Sequence, residues 1–186
     1  AIPTYLLAKE TKQHATVVLT GDGPDELFAG YEQFRFMNLF HMYNKTMPKT
    51  IGKKIIPKII RSIPQKNKNQ FFKYAESLGE EGVKRVETIL EDTSDSAKMY
   101  FNLVSVFSEE EKKNLYKNKE GIDIETTRKE FKRYFDQRKT RLECLNAMLY
   151  YDLKVTLPDD FLMKVDKNTM AFAIEARTPF LDHRII

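Results

Sequence analysis

The sequence has little of what marks several common protein classes. It holds one cysteine, Cys144, among 186 residues, which excludes an internal disulfide and suits a reducing compartment. No apolar run approaches the length of a membrane span, and the first residues carry no signal-peptide pattern. The expected location is therefore cytoplasmic, with no membrane as a partner. Zinc-type ligand spacing is absent, and no serine or cysteine motif accompanies the histidine near the C-terminus, His183. Neither an internal repeat nor a low-complexity linker is present. Charge is nearly balanced, with 31 basic and 27 acidic residues interspersed and a net charge of +4, so nucleic acid is not an expected partner. With 41% hydrophobic residues, the chain is long enough for one domain with a substantial core.

The pattern that is present is mostly helical. Residues 2–14 read as a helix, although Pro3 limits where it begins, and residues 25–43 as an aromatic-rich one carrying Phe28, Tyr31, Phe34, Phe36, Phe40 and Tyr43. The excess base sits in residues 49–68, where isoleucines 51, 55, 56, 59, 60 and 63 recur at helical spacing with lysines opposite. Pro57 and Pro64 divide that stretch into two short helices with a solvated basic face. Helical patterns continue over 69–78, 80–91 and 96–106. Ser108-Glu109-Glu110-Glu111 reads as a capping box for a helix to about Asn118, Gly121 marks a break, and 125–138 and 139–153 complete the series.

One stretch departs from this pattern. Thr16-Val17-Val18-Leu19-Thr20 is short, β-branched and bounded by turn signals, which predicts a buried strand of a parallel sheet. It runs into Gly21-Asp22-Gly23-Pro24-Asp25-Glu26-Leu27-Phe28-Ala29-Gly30-Tyr31. Gly21 and Gly23 permit a sharp turn, Pro24 suits the first helical position, and Asp25 and Glu26 fall in the first turn, where acids complement the helix dipole. Ligands bind at this edge of open α/β sheets. Three carboxylates beside anion-preferring N–H groups make sense if a divalent cation and a phosphate-bearing ligand complete the site. On this turn alone the plainer reading is favoured, with Asp25 and Glu26 as helix-start acids worth roughly 0.3–1 kcal/mol each and Asp22 as an ordinary turn residue.

A second segment, Leu157-Pro158-Asp159-Asp160-Phe161-Leu162-Met163-Lys164-Val165-Asp166-Lys167-Asn168-Thr169-Met170-Ala171-Phe172-Ala173-Ile174-Glu175-Ala176-Arg177-Thr178-Pro179-Phe180-Leu181-Asp182-His183, decides between them. Together the two stretches strongly resemble the synthetase domain of glutamine-hydrolysing asparagine synthetases. The first is similar to that family's Ser/Thr-Gly-Asp/Glu-Gly-x-Asp-Glu-Leu/Val-Phe-Gly/Ala-Gly-Tyr, the second to its Leu-Pro-Asp-Asp-x-Leu-x-Lys-Val-Asp-Arg-x-x-Met-Ala-x-x-x-Glu-Ala-Arg-x-Pro-Phe-Leu-Asp. Such enzymes also carry a Ser-Gly-Gly-x-Asp-Ser pyrophosphate loop and an N-terminal glutaminase domain with a cysteine nucleophile. Neither occurs in these residues. The resemblance thus implies a piece of a larger synthetase, residues 1–186 being part of the synthetase domain and expected to be inactive alone. The implied fold class is mainly α with one or a few strands of a parallel α/β sheet, from an adenine nucleotide α-hydrolase or ATP-pyrophosphatase-like parent.

The resemblance also implies chemistry. The family joins aspartate to ATP as β-aspartyl-AMP, and ammonia from glutamine then displaces AMP, with Mg2+ neutralising the triphosphate. Asp25 matches the family's metal-binding aspartate, with Glu26 a second candidate that equally suits the helix dipole. Asp22 matches an acid, often Glu, that resembles a general base for amide formation. Gly21 and Gly23 would allow close approach of the nucleotide. Lys164, taken as catalytic, and Asp166 and Lys167 match Lys-Val-Asp-Arg, Lys167 replacing an arginine and losing its bidentate geometry. Asp152 resembles an acid lining the substrate cleft. Glu175 and Arg177 match Glu-Ala-Arg; in an extended segment they share a side and either reach a common ligand or form a buried ion pair. A homodimeric parent is left open, as is a β-lactam or macrolactam synthetase acting on another carboxylate. A non-catalytic helical binding module, motivated by the basic 49–68 stretch, is the alternative from another class.

Overall fold

A computed structural model describes residues 1–46, 95–117, 126–135, 141–184 and 186. The helices expected over 49–68, 69–78 and 80–91, and the break at Gly121, lie outside the described residues. In chain order the elements are α1 (Ile2–Thr11), β1 (Val17–Leu19), α2 (Pro24–Phe28), α3 (Glu32–Thr46), α4 (Ser96–Val104), α5 (Glu109–Leu115), α6 (Thr126–Lys132) and α7 (Arg141–Tyr151). A π-helical stretch (Asp152–Leu162), α8 (Met163–Met170), β2 (Glu175–Arg177) and a 3-10 turn (Pro179–Leu181) complete the order. They fall into two compact units, Ala1–Phe34 with Leu145–Ile186, and Arg35–Cys144.

The first unit holds the sheet. β1 and β2 pair in parallel, Val17 opposite Glu175, Val18 opposite Ala176 and Leu19 opposite Arg177. The Glu175 N–H donates to the Thr16 carbonyl and the Thr20 N–H to the Arg177 carbonyl, both at 2.8 Å. The mainly helical character and the parallel strand agree with expectation. The strand's burial does not: Val17 is 43% and Leu19 73% exposed. Alternate residues point to opposite faces, and among the described residues the face of Val17 and Leu19 is uncovered. α8 packs against β2, and α1 packs on α8. There Tyr5 meets Phe172 edge-on at 4.8 Å, and the Lys12 ammonium donates to the Ala173 carbonyl at 3.0 Å.

Two helices differ from the sequence pattern. The helix expected over 25–43 breaks into α2 and α3 because Ala29 adopts a left-handed conformation, φ 58° and ψ 44°. The Gly30 N–H donates back to the Asp25 carbonyl at 3.0 Å, a six-to-one bond of the kind that closes helices. Conversely, the helix expected to end at 153 runs on through the π stretch into α8. Pro158 lies within that stretch, where an α-helix would lose a hydrogen bond and clash with the preceding turn. The wider π winding carries the chain past the proline.

In the second unit the expected capping box is present. The Ser108 N–H donates to Glu111 Oε2 at 2.6 Å and the Glu111 N–H to Ser108 Oγ at 3.2 Å, although the helix ends at Leu115 rather than Asn118. Asp95 caps α4 through the N–H groups of Ala97 and Lys98. The core here is aromatic: Phe131 stacks on Phe135 at 4.9 Å and meets Phe101 edge-on at 5.2 Å, beside fully buried Tyr100. Cys144 is buried, and burial pushes its thiol above the ordinary range, outweighing a hydrogen bond with Ser96.

The two glycines of the acid turn should respond differently to substitution. Gly23 has φ 106°, and a Cβ there would lie 2.3 Å from Leu181 Cδ2, whereas a Cβ on Gly21 meets nothing within 4 Å. Gly23→Ala should therefore lower stability by about 1–3 kcal/mol, with Gly21→Ala within roughly 0.5 kcal/mol of the parent, both read from urea unfolding midpoints. Equal midpoints would contradict the close packing. Because the thiolate is the reactive form, Cys144 should be alkylated by iodoacetamide at pH 8 far more slowly than free cysteine until denaturant is added.

Candidate functional site

The acids gather where β1 ends. Gly21 is exposed, and Asp22 is half-buried between it and buried Gly23. The left-handed Gly23 turns the chain into α2, with Pro24 at its start and Asp25 and Glu26 in its first turn, as the residue pattern requires. The two acids then diverge. Asp25 is exposed, and a Cβ on Gly30 would lie 1.9 Å from its Oδ1, so the bare Cα of Gly30 makes room for this carboxylate. Glu26 is only 1% exposed, and its Oε1 accepts a 2.5 Å hydrogen bond from the Tyr31 hydroxyl.

Tyr31 reports the surrounding charge. Burial, the bond to Glu26, and the charges of Glu26, Asp25 and Asp152 together push its phenol far above the ordinary range. The hydroxyl consequently remains a donor. Asp152 is among the charges acting on this phenol, and α2 packs against the π stretch that Asp152 opens. Asp152 opens the π stretch, is 1% exposed, and accepts the Thr156 hydroxyl at 2.9 Å.

Lys164 joins this group through aromatic rings. It lies in the first turn of α8 with its ammonium 4.5 Å from the Phe161 ring centre, and Phe161 stacks on Tyr31 at 6.3 Å with planes 22° apart. Asp166 and Lys167 are exposed on the same helix. Lys167 is three residues from Lys164 and shares its side, while Asp166, two residues away, does not.

Glu175 and Arg177 share one face of β2, as an extended segment requires. The Arg177 Nε donates to Glu175 Oε1 at 2.8 Å, and both side chains are exposed, so the pair is not the buried one of the second alternative. This contact holds the Glu175 carboxyl below its usual range and raises Arg177. Arg177 ends β2 beside the Gly21 turn. Asp182 instead takes a bidentate bond from Arg184, and the His183 side chain is open to solvent.

Sequence reasoning passed over Tyr31, which read as one aromatic of a buried helix, and Phe161 and Gly30. The signal for Tyr31 and Gly30 was their place within the glycine-acid motif. It also passed over Thr20, whose hydroxyl oxygen is buried without a partner among the described residues. Among those residues no three ligating side chains form a metal cage. A metal that takes one or two carboxylates and completes its shell with phosphate and water needs no such cage, and Asp25 is an exposed carboxylate of that kind. Open space beside Gly21 fits a phosphate-bearing ligand at the strand end.

The family described as Asparagine synthase matches residues 1–186. The glutamine-hydrolysing asparagine synthetase 1 of Bacillus subtilis is 34% identical over 98% of this chain and 26% of its own length. A putative glutamine-hydrolysing asparagine synthetase of Mycobacterium bovis is 26% identical over 99% of this chain and 25% of its own. The chain thus spans about a quarter of the length of these curated relatives. No solved structure matches it. A family match over the whole chain means that this chain belongs to the asparagine synthase family.

Proposed function

We propose that these residues form part of the synthetase site of an ATP-dependent enzyme that converts aspartate to asparagine with ammonia released from glutamine. The observation that carries this reading is the packing of α2, which bears Asp25 and buried Glu26, against the π stretch that Asp152 opens, with Tyr31 bonded to Glu26 and Lys164 reached through Phe161. In the first step, the aspartate side-chain carboxylate attacks the α-phosphorus of ATP. A P–O bond forms, pyrophosphate leaves, and β-aspartyl-AMP results. In the second, ammonia attacks the acyl carbon, the C–O bond to AMP breaks, and one ammonium proton is lost.

The roles divide by exposure. Asp25, the solvent-facing acid of α2, would hold Mg2+, which when bound offsets the triphosphate charge. Glu26, engaged by Tyr31, anchors the turn beneath it. Gly21 and Gly23 let the nucleotide approach the backbone. Asp22, half-buried ahead of α2, accepts the ammonia proton. Lys164 supplies positive charge to the phosphate transfer. Asp152, Asp166, Lys167 and the Glu175–Arg177 pair are assigned to substrate binding, the last two from the adjoining strand.

Two substitutions in the full-length protein separate these roles. Asp25→Asn keeps the side chain's shape but removes a charged oxygen, so aspartate-dependent exchange of pyrophosphate into ATP should fall and its magnesium requirement rise. Exchange at the parent rate would return Asp25 to a helix-start role. Asp22→Asn should leave that exchange largely intact and slow asparagine formation from ammonium by about 10²–10⁴-fold. An equal fall in both assays would make Asp22 a nucleotide-positioning residue.

A further inference from the structure

We propose that Phe161 is a positioning residue for Lys164, a ring shelf that holds the ammonium beside the acid turn without neutralising it. The proposal rests on the reading of Lys164 as a group of the synthetase site. Its geometry is a continuous chain of contacts. Buried Glu26 accepts the Tyr31 hydroxyl at 2.5 Å, Tyr31 stacks on Phe161 at 6.3 Å, and the Phe161 ring lies 4.5 Å from Lys164 Nζ. The first link fixes one end of Tyr31, and the second fixes the plane of Phe161.

The choice of an aromatic face has a chemical consequence. A lysine side chain is long and flexible, and ordinarily either wanders in solvent or pairs with a carboxylate. Among the described residues the Lys164 ammonium makes no ion pair, although acids gather around Tyr31 nearby. A carboxylate partner would spend its charge before a substrate arrived. A ring quadrupole attracts the cation while leaving its three N–H donors and its net charge for an incoming anion. Phe161 stands three residues before Lys164 in the sequence, and the two flank the junction where π winding returns to α.

The test replaces Phe161 in the full-length protein with mono-, di- and trifluorophenylalanine, which drain the ring face stepwise at nearly constant volume, and with Tyr and Leu. Two readouts are taken: kcat and KM for ATP-dependent amide formation, and the NMR shift of the Lys164 ε-methylene protons, which a ring face displaces upfield. The expected result is a stepwise fall in kcat totalling roughly twofold to thirtyfold across the fluorine series. Phe161→Tyr should stay near the parent. Phe161→Leu should resemble the trifluoro variant and lose the upfield displacement. A kcat indifferent to fluorination, or a Tyr variant as impaired as Leu, would reduce Phe161 to a packing residue and overturn the proposal. A parent protein with no amide-forming activity but a displaced Lys164 signal that Phe161→Leu abolishes would sink the functional reading and leave the shelf standing. No displacement in the parent would remove the shelf whatever the activity.

Discussion

The hydrogen bond from Tyr31 to buried Glu26 is the constraint on which the acid turn depends. A carboxyl group taken out of water must find donors or change its ionisation, and the sequence meets that demand five residues further on. Because the chain must return Tyr31 to Glu26 over so short a distance, α2 cannot continue as a helix. Ala29 reverses it in a left-handed conformation, and Gly30 gives up its side-chain space to Asp25. One polar contact thus fixes the length of α2, the exposure of Asp25 and the plane of the ring beneath Phe161.

The same device recurs at the other side of the sheet. Three residues past α8, Ala173 has φ 50°, and the Ile174 N–H donates to the Thr169 carbonyl at 3.1 Å, again a six-to-one closure. A left-handed alanine costs about 1–2 kcal/mol, and it occurs here after α2, before α3 begins, and after α8, before β2 begins. Each reversal is held by the residues just C-terminal to it: Tyr31 bonded to Glu26 in one case, fully buried Ile174 leading into β2 in the other. The strain is local and the compensation is tertiary.

That division explains what the sequence could reveal. The start of α2 was legible because its signals are local: left-handed glycine, proline at the first position, acids in the first turn. The Ser108–Glu111 capping box was legible for the same reason. The break after Phe28 was not, because alanine is a strong helix former and only Glu26's need for a donor overrides it. The passage of Pro158 through a helix was hidden for the converse reason, since the residue ordinarily ends one. At the site, residue identities were legible from the two motifs and their partners were not. Asp152 and Tyr31 lie far apart in the chain, and nothing in either local pattern shows that they share a field. Glu175 and Arg177 were placed on one face by strand periodicity, but their exposure depends on what covers the sheet.

The acids also sort themselves by a physical rule. Carboxylates crowded near one another repel, and that repulsion falls when some are bonded to donors and others face water. Glu26 is bonded to a phenol and Asp152 to the Thr156 hydroxyl. The phenol that meets Glu26 is a neutral donor, so that bond holds the carboxyl group in place without bringing a cation beside it. Asp25 faces water. Asp25 is thus the carboxylate of the group left open to a cation arriving from solvent. Lys164 lies over the Phe161 ring and, among the described residues, pairs with none of these acids. An exposed acid at the start of α2 and a ring-held ammonium on α8, not joined to each other, are what a bound polyphosphate with its metal would complete.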